Sequence, residues 1–268
     1  MSSKENMYEG QEAKYHIDKV QTIEFINVSF KYKNAKSYAL KNINCTLKAN
    51  EKIAIVGDNG AGKTTFIKLL LRLYDTEEGE IKVNGINIKE YYYDEYLRAM
   101  SPVFQDTKMV GYTLLENIVI DNELDDERLE NAINISGIGD RIKSLRDGLD
   151  TIVTKDLSED GINFSGGEEQ EIAIARALYK NMGSVILDEP TAAMDALAEK
   201  ELFDKLNHFL AGSMIIYITH RLSNVVFCDR ILVFEDGEIV ESGKHKDLIN
   251  ENALYADMFR KQAYYYVD

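Results

Sequence analysis

An α/β fold built around a mostly parallel sheet is predicted by three features of this sequence. Short, continuously apolar runs end in polar turns, a Gly-rich turn joins one of those runs to a helical stretch, and an Asn-Gly pair marks a separate antiparallel layer. Ile53-Ala54-Ile55-Val56 runs into the Gly-rich turn and the helical stretch over 63–74. Val185-Ile186-Leu187 ends in Asp188-Glu189, and residues 214–219 end at His220. Strands apolar on both faces belong to sheets covered on both sides, which is the habit of parallel sheets. In such sheets ligands gather at the carboxyl ends of the strands, where these turns carry their polar residues.

The antiparallel layer has its own signals. Ile23, Phe25, Val28 and Phe30 are spaced like an irregular half-buried strand, and Leu40, Ile43, Cys45 and Leu47 like a second. Ile81-Lys82-Val83 and Ile86-Asn87-Ile88 flank Asn84-Gly85, and both turn residues tolerate positive φ, so a hairpin is expected there. Between Thr113 and Lys180 the pattern is mostly helical, as in a helical insertion. The organisation read from this pass is a polar linker or tail over 1–20, a core over 21–104 and 183–250, a helical subdomain over 105–182 and a C-terminal helix over 251–268.

Composition narrows the function classes. The formal net charge of −15 and the lack of a dense basic run argue against nucleic acid as a partner and against docking to bare anionic lipid. Cys45 and Cys228 stand far apart, outside any CxxC or Cys/His cluster, so neither a disulfide framework nor a zinc site is implied. No apolar run approaches the ~20 residues that a membrane-crossing helix needs, and there is no signal-peptide pattern.

Gly57-Asp58-Asn59-Gly60-Ala61-Gly62-Lys63-Thr64, followed by Thr65, fits the P-loop pattern GxxxxGK[ST] after a strand and before a helix. The glycines let backbone N–H groups wrap phosphates, and the helix N-terminus adds its positive dipole end. Lys63 is suited to the β- and γ-phosphates and the Thr64 hydroxyl to Mg²⁺. The adjacent carboxylates after Val185-Ile186-Leu187 supply a second element, with Asp188 holding the metal through its water shell and Glu189 polarising an attacking water. A turn whose acidic residues merely cap the next helix is the plainer reading of that pair. These residues together predict a P-loop NTPase core of the RecA-like kind.

Phe164-Ser165-Gly166-Gly167-Glu168, followed by Ile172-Ala173-Ile174-Ala175-Arg176-Ala177-Leu178, resembles the signature motif of the ATP-binding cassette (ABC) family, whose usual form is LSGGQ. Further elements follow in the family's order: Gln105 after a strand, Asp188-Glu189-Pro190-Thr191, Ala192-Ala193-Met194-Asp195, and Thr219-His220. The resemblance implies an ATPase that uses ATP and Mg²⁺ and forms a head-to-tail dimer, each ATP lying between the phosphate loop of one subunit and the signature of the other. It implies that Ser165 and Gly167 touch the γ-phosphate bound by the partner, with Gly166 part of the same cofactor-binding turn, that Gln105 senses Mg²⁺ and the attacking water, and that His220 contacts the γ-phosphate. It also implies that Tyr32 stacks on adenine and that Asp195 works across the dimer interface. Ser165 and Glu168 stand in capping-box spacing as well, and both roles are compatible. Glu168 departs from the usual glutamine, so it is expected to point away from the nucleotide.

The opening Ile23-Glu24-Phe25 with Val28-Ser29-Phe30, the stretch 219–223, the run 236–243 and the stretch 158–163 before the signature resemble the exporter branch of the family. That implies a motor domain on the cytoplasmic face of the cell membrane, partnered by a second nucleotide-binding domain, identical or not, and by transmembrane domains. In that branch the membrane helices normally precede the cassette on the same chain, so an excised domain or truncated chain is expected. Two other readings stay open: a catalytically weak ATP-binding partner in a heterodimer, and a soluble family member acting on DNA or ribosomes. The latter normally carries coiled coils or tandem cassettes, which this sequence lacks.

Overall fold

The computed structural model describes residues 13–104, 109–120, 124–154, 161–180, 183–190, 196–210 and 212–265. In chain order the strands are β1 (Thr22–Phe30), β2 (Leu40–Lys48), β3 (Lys52–Gly57), β4 (Glu78–Val83), β5 (Ile86–Asn87), β6 (Pro102–Val103), β7 (Ser184–Asp188), β8 (Met214–Ile218), β9 (Arg230–Glu235) and β10 (Glu238–Gly243). The helices are α1 (Lys63–Leu70), α2 (Tyr93–Met100), α3 (Leu114–Ile118), α4 (Asp126–Ser136), α5 (Gly139–Ser144), α6 (Gly166–Lys180), α7 (Ala196–Phe209), α8 (His245–Glu251) and α9 (Leu254–Tyr265).

The strands form two sheets. A six-stranded sheet runs β10-β9-β3-β8-β7-β6, parallel except for the antiparallel β9–β10 hairpin, and a four-stranded antiparallel sheet runs β2-β1-β4-β5. This is the mostly parallel core plus antiparallel layer that the sequence predicts. Alternation along the parallel strands divides the buried residues between two cores. Ala54, Val56, Val185, Leu187, Ile215 and Tyr217 face the one that contains α4, α6 and α7. Ile53, Ile55, Ile186, Ile216 and Ile218 face the one shared with α1, α2 and the antiparallel sheet. A sheet buried on both faces needs apolar residues at every position, which is why its strands read as unbroken runs.

Helix α1 is wedged between the two sheets. Phe66 stacks on Phe25 of β1 with ring centroids 4.0 Å apart and meets Phe234 of β9 edge-on at 5.5 Å. The helix is shorter than the expected stretch over 63–74. It stops at Leu70, whose carbonyl accepts from the Tyr96 hydroxyl at 2.5 Å, and Arg72 adopts a φ of 54° that no α-helix continues through. The hairpin at Asn84-Gly85 forms with φ of 52° and 79°, but its second strand ends at Asn87. The Asn87 side chain accepts from the Lys89 N–H at 3.0 Å and starts a 3₁₀ turn that takes in Ile88. A further hairpin, β9–β10, turns at Asp236-Gly237.

The N-terminal stretch assigned to a tail is docked in its described part. Ile17 and Val20 are buried in the second core, and Tyr15 bridges to Tyr91. Two apolar residues in a polar stretch are too sparse to show a period, yet they find a groove. Cys228 is buried and Cys45 half-buried, both free, and burial pushes the Cys45 thiol up to about 12.

The irregular spacing in β1 reflects register shifts against both β2 and β4 around residues 26–29. Asn27 takes a φ of 50°, its N–H donating to Asn44 Oδ1 at 2.9 Å. Gly79 of β4 lies against this bulge, where an added Cβ would sit 2.3 Å from the carbonyl oxygens of Ile26 and Asn27. Gly79→Ala is therefore expected to lower the unfolding free energy by about 2–4 kcal/mol, read by urea denaturation. An unchanged midpoint would mean that the bulge yields freely.

Candidate functional site

Three neighbouring strands of the parallel sheet, β3, β8 and β7, deliver the site at their carboxyl ends. From β3 the chain turns at Gly57, where φ is 147° and an added Cβ would lie 2.2 Å from the Phe234 carbonyl oxygen, so only glycine lets the loop pass this close to β9. Asp58, Asn59 and Gly60 are exposed, and Ala61 is buried. Gly62 caps α1 in the left-handed region without a side-chain hydrogen bond, and no acidic residue occupies the first helical turn. The N–H groups there are thus left to an anion, with no carboxylate competing for them.

Lys63 folds back over this loop, its Nζ donating to the carbonyls of Gly57 at 2.8 Å and Asp58 at 2.9 Å. Burial lowers its pKa, while Glu189, Asp58 and Asp188 pull the other way. Thr64 is exposed, whereas Thr65 is buried with its hydroxyl 3.1 Å from the Tyr32 hydroxyl. The Tyr32 ring sits edge-on to Phe30 at 4.9 Å and to Tyr74 at 5.2 Å. An aromatic cluster beside the loop is a platform that a planar base can extend.

β7 ends at Asp188, which burial and the neighbouring Glu189 hold well above the usual carboxylate range, at about 6, against the pull of Lys63 and Lys68. Glu189 takes a φ of 48°, an unfavourable region for a non-glycine residue. It is held there from three sides. Its N–H donates to the Ile218 carbonyl of β8 at 2.9 Å, its carbonyl accepts from Gln170 Nε2 of α6 at 2.8 Å, and its Oε1 lies 2.9 Å from His220 Nε2. Such a conformation costs free energy and persists only because these contacts over-determine it. Burial lowers the His220 pKa, with Lys63 adding to the effect.

The histidine turn is bracketed by residues that no sequence motif announced. Gln262 of α9 accepts from the Leu222 N–H at 2.9 Å through Oε1 and donates through Nε2 to the His220 carbonyl. Arg221 pairs with the buried Glu199 of α7 at 2.5 Å, and Thr219 Oγ1 accepts from the Arg221 N–H at 3.0 Å. Gln170, Glu199 and Gln262 are ordinary polar residues in helices, and nothing local distinguishes them from solvated ones.

The serine–glycine turn opens α6. Ser165 forms a reciprocal capping box with Glu168: Ser165 N–H to Glu168 Oε2 at 2.7 Å, Ser165 Oγ to the same oxygen at 2.9 Å, and Glu168 N–H to Ser165 Oγ at 3.4 Å. Ser165 and Gly166 are exposed, and a Cβ added at Gly166 or Gly167 would meet nothing within 4 Å.

Lys63, Asp58, Asp188, Glu189 and His220 thus share one electrostatic neighbourhood, whereas the hydrogen bonds of Ser165 stay within its own helix start. Gln105 and Asp195 lie outside the described residues, as do 155–160. Thr64 and Asp188 offer hard oxygen donors, the chemistry Mg²⁺ takes. No group of three His, Cys, Asp or Glu able to hold a metal occurs among the described residues.

A family profile described as "ABC transporter" matches residues 40–192. The chain is 38% identical over 242 residues to an "ATP-dependent lipid A-core flippase" of Coxiella burnetii, covering 90% of this chain and 40% of that relative. It is 40% identical over 252 residues to the "Subtilin transport ATP-binding protein SpaT" of Bacillus subtilis, covering 92% and 41%. Among solved structures it matches a bacterial Atm1-family ABC exporter with ATP bound, at a TM-score of 0.85 and 33% identity, over 95% of this chain and 44% of that one. The chain spans about two fifths of the length of these curated relatives.

The Asp188 environment has a measurable consequence. Unfolded, the carboxyl releases its proton near its ordinary 3.8; folded, it holds it to about 6. The folded chain therefore binds more protons across that window, and this residue's contribution to stability is lost as pH rises through it. Asp188→Asn should stabilise the metal-free chain by about 1–3 kcal/mol at pH 8 and by less at pH 5 in urea denaturation. Equal effects at both pH values would contradict the raised pKa.

Proposed function

Because the chain belongs to the ABC transporter family, we propose that it is the ATP-binding and hydrolysing motor of an exporter, closing head-to-tail with a second nucleotide-binding domain around two Mg·ATP. The observation that carries this reading is the bareness of Gly166 and Gly167. Neither has the positive φ that favours glycine, and neither has a neighbour that a Cβ would strike, although glycine weakens a helix. A helix start that keeps two glycines without an internal reason is best explained by close approach from outside the chain, and its N–H groups suit an anion. The phosphate loop is the complementary half of that site.

In this reading the loop N–H groups and the α1 dipole hold the phosphates, and Lys63 moves from the Gly57 and Asp58 carbonyls to the β/γ oxygens. Thr64 and Asp188 hold Mg²⁺, which supplies charge neutralisation on the phosphates when bound, with Gln105 beside it. Tyr32 stacks on the base. Glu189 orients and deprotonates water, and His220 steadies Glu189 before contacting the γ-phosphate. Ser165 and the following glycines close the site from the partner, with Asp195 across the same interface. ATP contributes binding energy to the closed state only, so it shifts the population towards closure.

No helix among the described residues is long and apolar enough to cross a membrane. The membrane-spanning partner, on the same polypeptide or another, would engage an open cleft of about 520 Å³ whose lining includes Leu71, Leu97, Phe104, Ile120 and Lys180. In this reading the motor sits at the cytoplasmic face of the membrane. A second reading, a catalytically weak partner in a heterodimer, is favoured by one observation: the Ser165 hydroxyl is already committed to Glu168.

Glu189→Gln should cut steady-state ATP turnover by about 100-fold or more while leaving an ATP-stabilised dimer on size-exclusion chromatography. Unchanged turnover would remove Glu189 from its role. Lys63→Ala should weaken ATP binding by about tenfold or more in calorimetry, and unaltered affinity would contradict the phosphate-cradle reading. A wild-type chain that binds ATP without measurable turnover would favour the weak-partner reading.

A further inference from the structure

The acidic residue in the serine–glycine turn is not alone. Arg141, from α5, places its Nε 2.8 Å from Glu168 Oε1, and its guanidinium lies 5.8 Å from the centre of the Phe164 ring. Phe164 and Glu168 flank Ser165-Gly166-Gly167, so one arginine touches both shoulders of the turn. Oε2 accepts from the N–H and hydroxyl of Ser165, while Oε1 is paired in charge with Arg141, whose Nε lies close without the alignment of a hydrogen bond. Two further carboxylates stand close, with Lys205 opposing them near Glu171. Glu169 shares the first helical turn, and Glu171 is near enough to Glu168 for its own pKa to be raised, by burial first and by Glu168 second.

We propose that Arg141 is a positioning residue that makes Glu168 tolerable in a phosphate-binding turn: the two form a neutral unit that replaces a neutral side chain. The inference rests on the reading that Ser165-Gly166-Gly167 meets a nucleotide held by a partner copy. An unpaired carboxylate one residue beyond those glycines would repel a triphosphate and hold the Ser165 hydroxyl proton. With Arg141 on Oε1, the charge facing the phosphate is cancelled. Oε2 keeps the Ser165 N–H, and the incoming anion competes with a neutralised rather than a bare carboxylate for the serine hydroxyl proton, which goes to Oε2 in the free chain. The guanidinium lies over the Phe164 ring, a cation–π contact that favours this orientation of the pair before the ligand arrives. Arg141 itself touches no reacting atom.

The test is a double-mutant cycle in the full chain carrying Glu189→Gln, with Mg·ATP-dependent dimerisation followed by sedimentation at several salt concentrations. Arg141→Met, which keeps the stem against Phe164, should weaken the dimer by about fivefold or more with Glu168 present, most strongly at low salt. In the Glu168→Gln background the same substitution should change it by less than about twofold. Arg141→Lys, which restores charge without the planar fork, should recover part of the loss. ATP affinity of the monomer should be the same in all variants, since the monomer's own phosphate loop is untouched. Equal losses in both backgrounds would make Arg141 a structural support of α5 and overturn the proposal, as would no loss in either. A parent chain that binds Mg·ATP but never dimerises would overturn the dimer reading itself and this inference with it, an outcome visible before Arg141 is altered.

Discussion

The contact between the Glu189 carboxylate and the His220 imidazole, 2.9 Å apart at the ends of adjacent strands, is the interaction on which the geometry of the site turns. Neither residue is placed by its own strand alone. Glu189 sits in a left-handed backbone conformation that a carboxylate-bearing residue adopts at a cost, and Ile218 of β8 and Gln170 of α6 hold it there. His220 is steadied through its own carbonyl by Gln262, and its neighbours Leu222 and Arg221 are gripped by α9 and α7. The order β3-β8-β7 then brings Lys63, His220 and Glu189 out side by side. A one-residue slip between β7 and β8 would separate the pair, and both buried faces of the sheet resist that slip because each alternate residue is committed to a different core.

Charge balance follows from this frame. Burial first and the neighbouring Glu189 second raise the proton affinity of Asp188, while Lys63 and Lys68 counter them, so two adjacent carboxylates stand at a strand end beside a loop with free N–H groups. Bringing a divalent cation and a polyphosphate together resolves that imbalance better than either would alone. The serine–glycine turn shows a similar balance at a distance, with a carboxylate at a helix start answered by an arginine from the preceding helix.

Much of this was legible in the sequence because it is local. The phosphate loop, the carboxylate pair after an apolar strand and the Asn84-Gly85 turn each declare themselves within a few residues, since backbone conformation and burial dictate the residue types directly. The Asp236-Gly237 turn carries the same local signal as Asn84-Gly85 and closes the β9–β10 hairpin, although the motif it belongs to says nothing of strand pairing. What stayed hidden is long-range. Gln262 reaches a turn 40 residues away, Gln170 reaches Glu189 across the gap between α6 and β7, and Arg141 meets Glu168 from a separate helix. No spacing rule encodes such pairs, because their partners are set by packing. Ile17 and Val20 escaped notice for a related reason, as two apolar side chains make no period but fill a groove.

The account depends on Lys63 of one copy and Ser165 of another addressing the same triphosphate, and a structure of the Glu189→Gln chain with Mg·ATP tests that most directly. It should show the Ser165 hydroxyl and the Gly167 N–H within hydrogen-bond distance of a γ-phosphate cradled by the other copy's Lys63, with Glu168 still paired to Arg141. A serine turn facing solvent, or one bound to its own subunit's nucleotide, would contradict it.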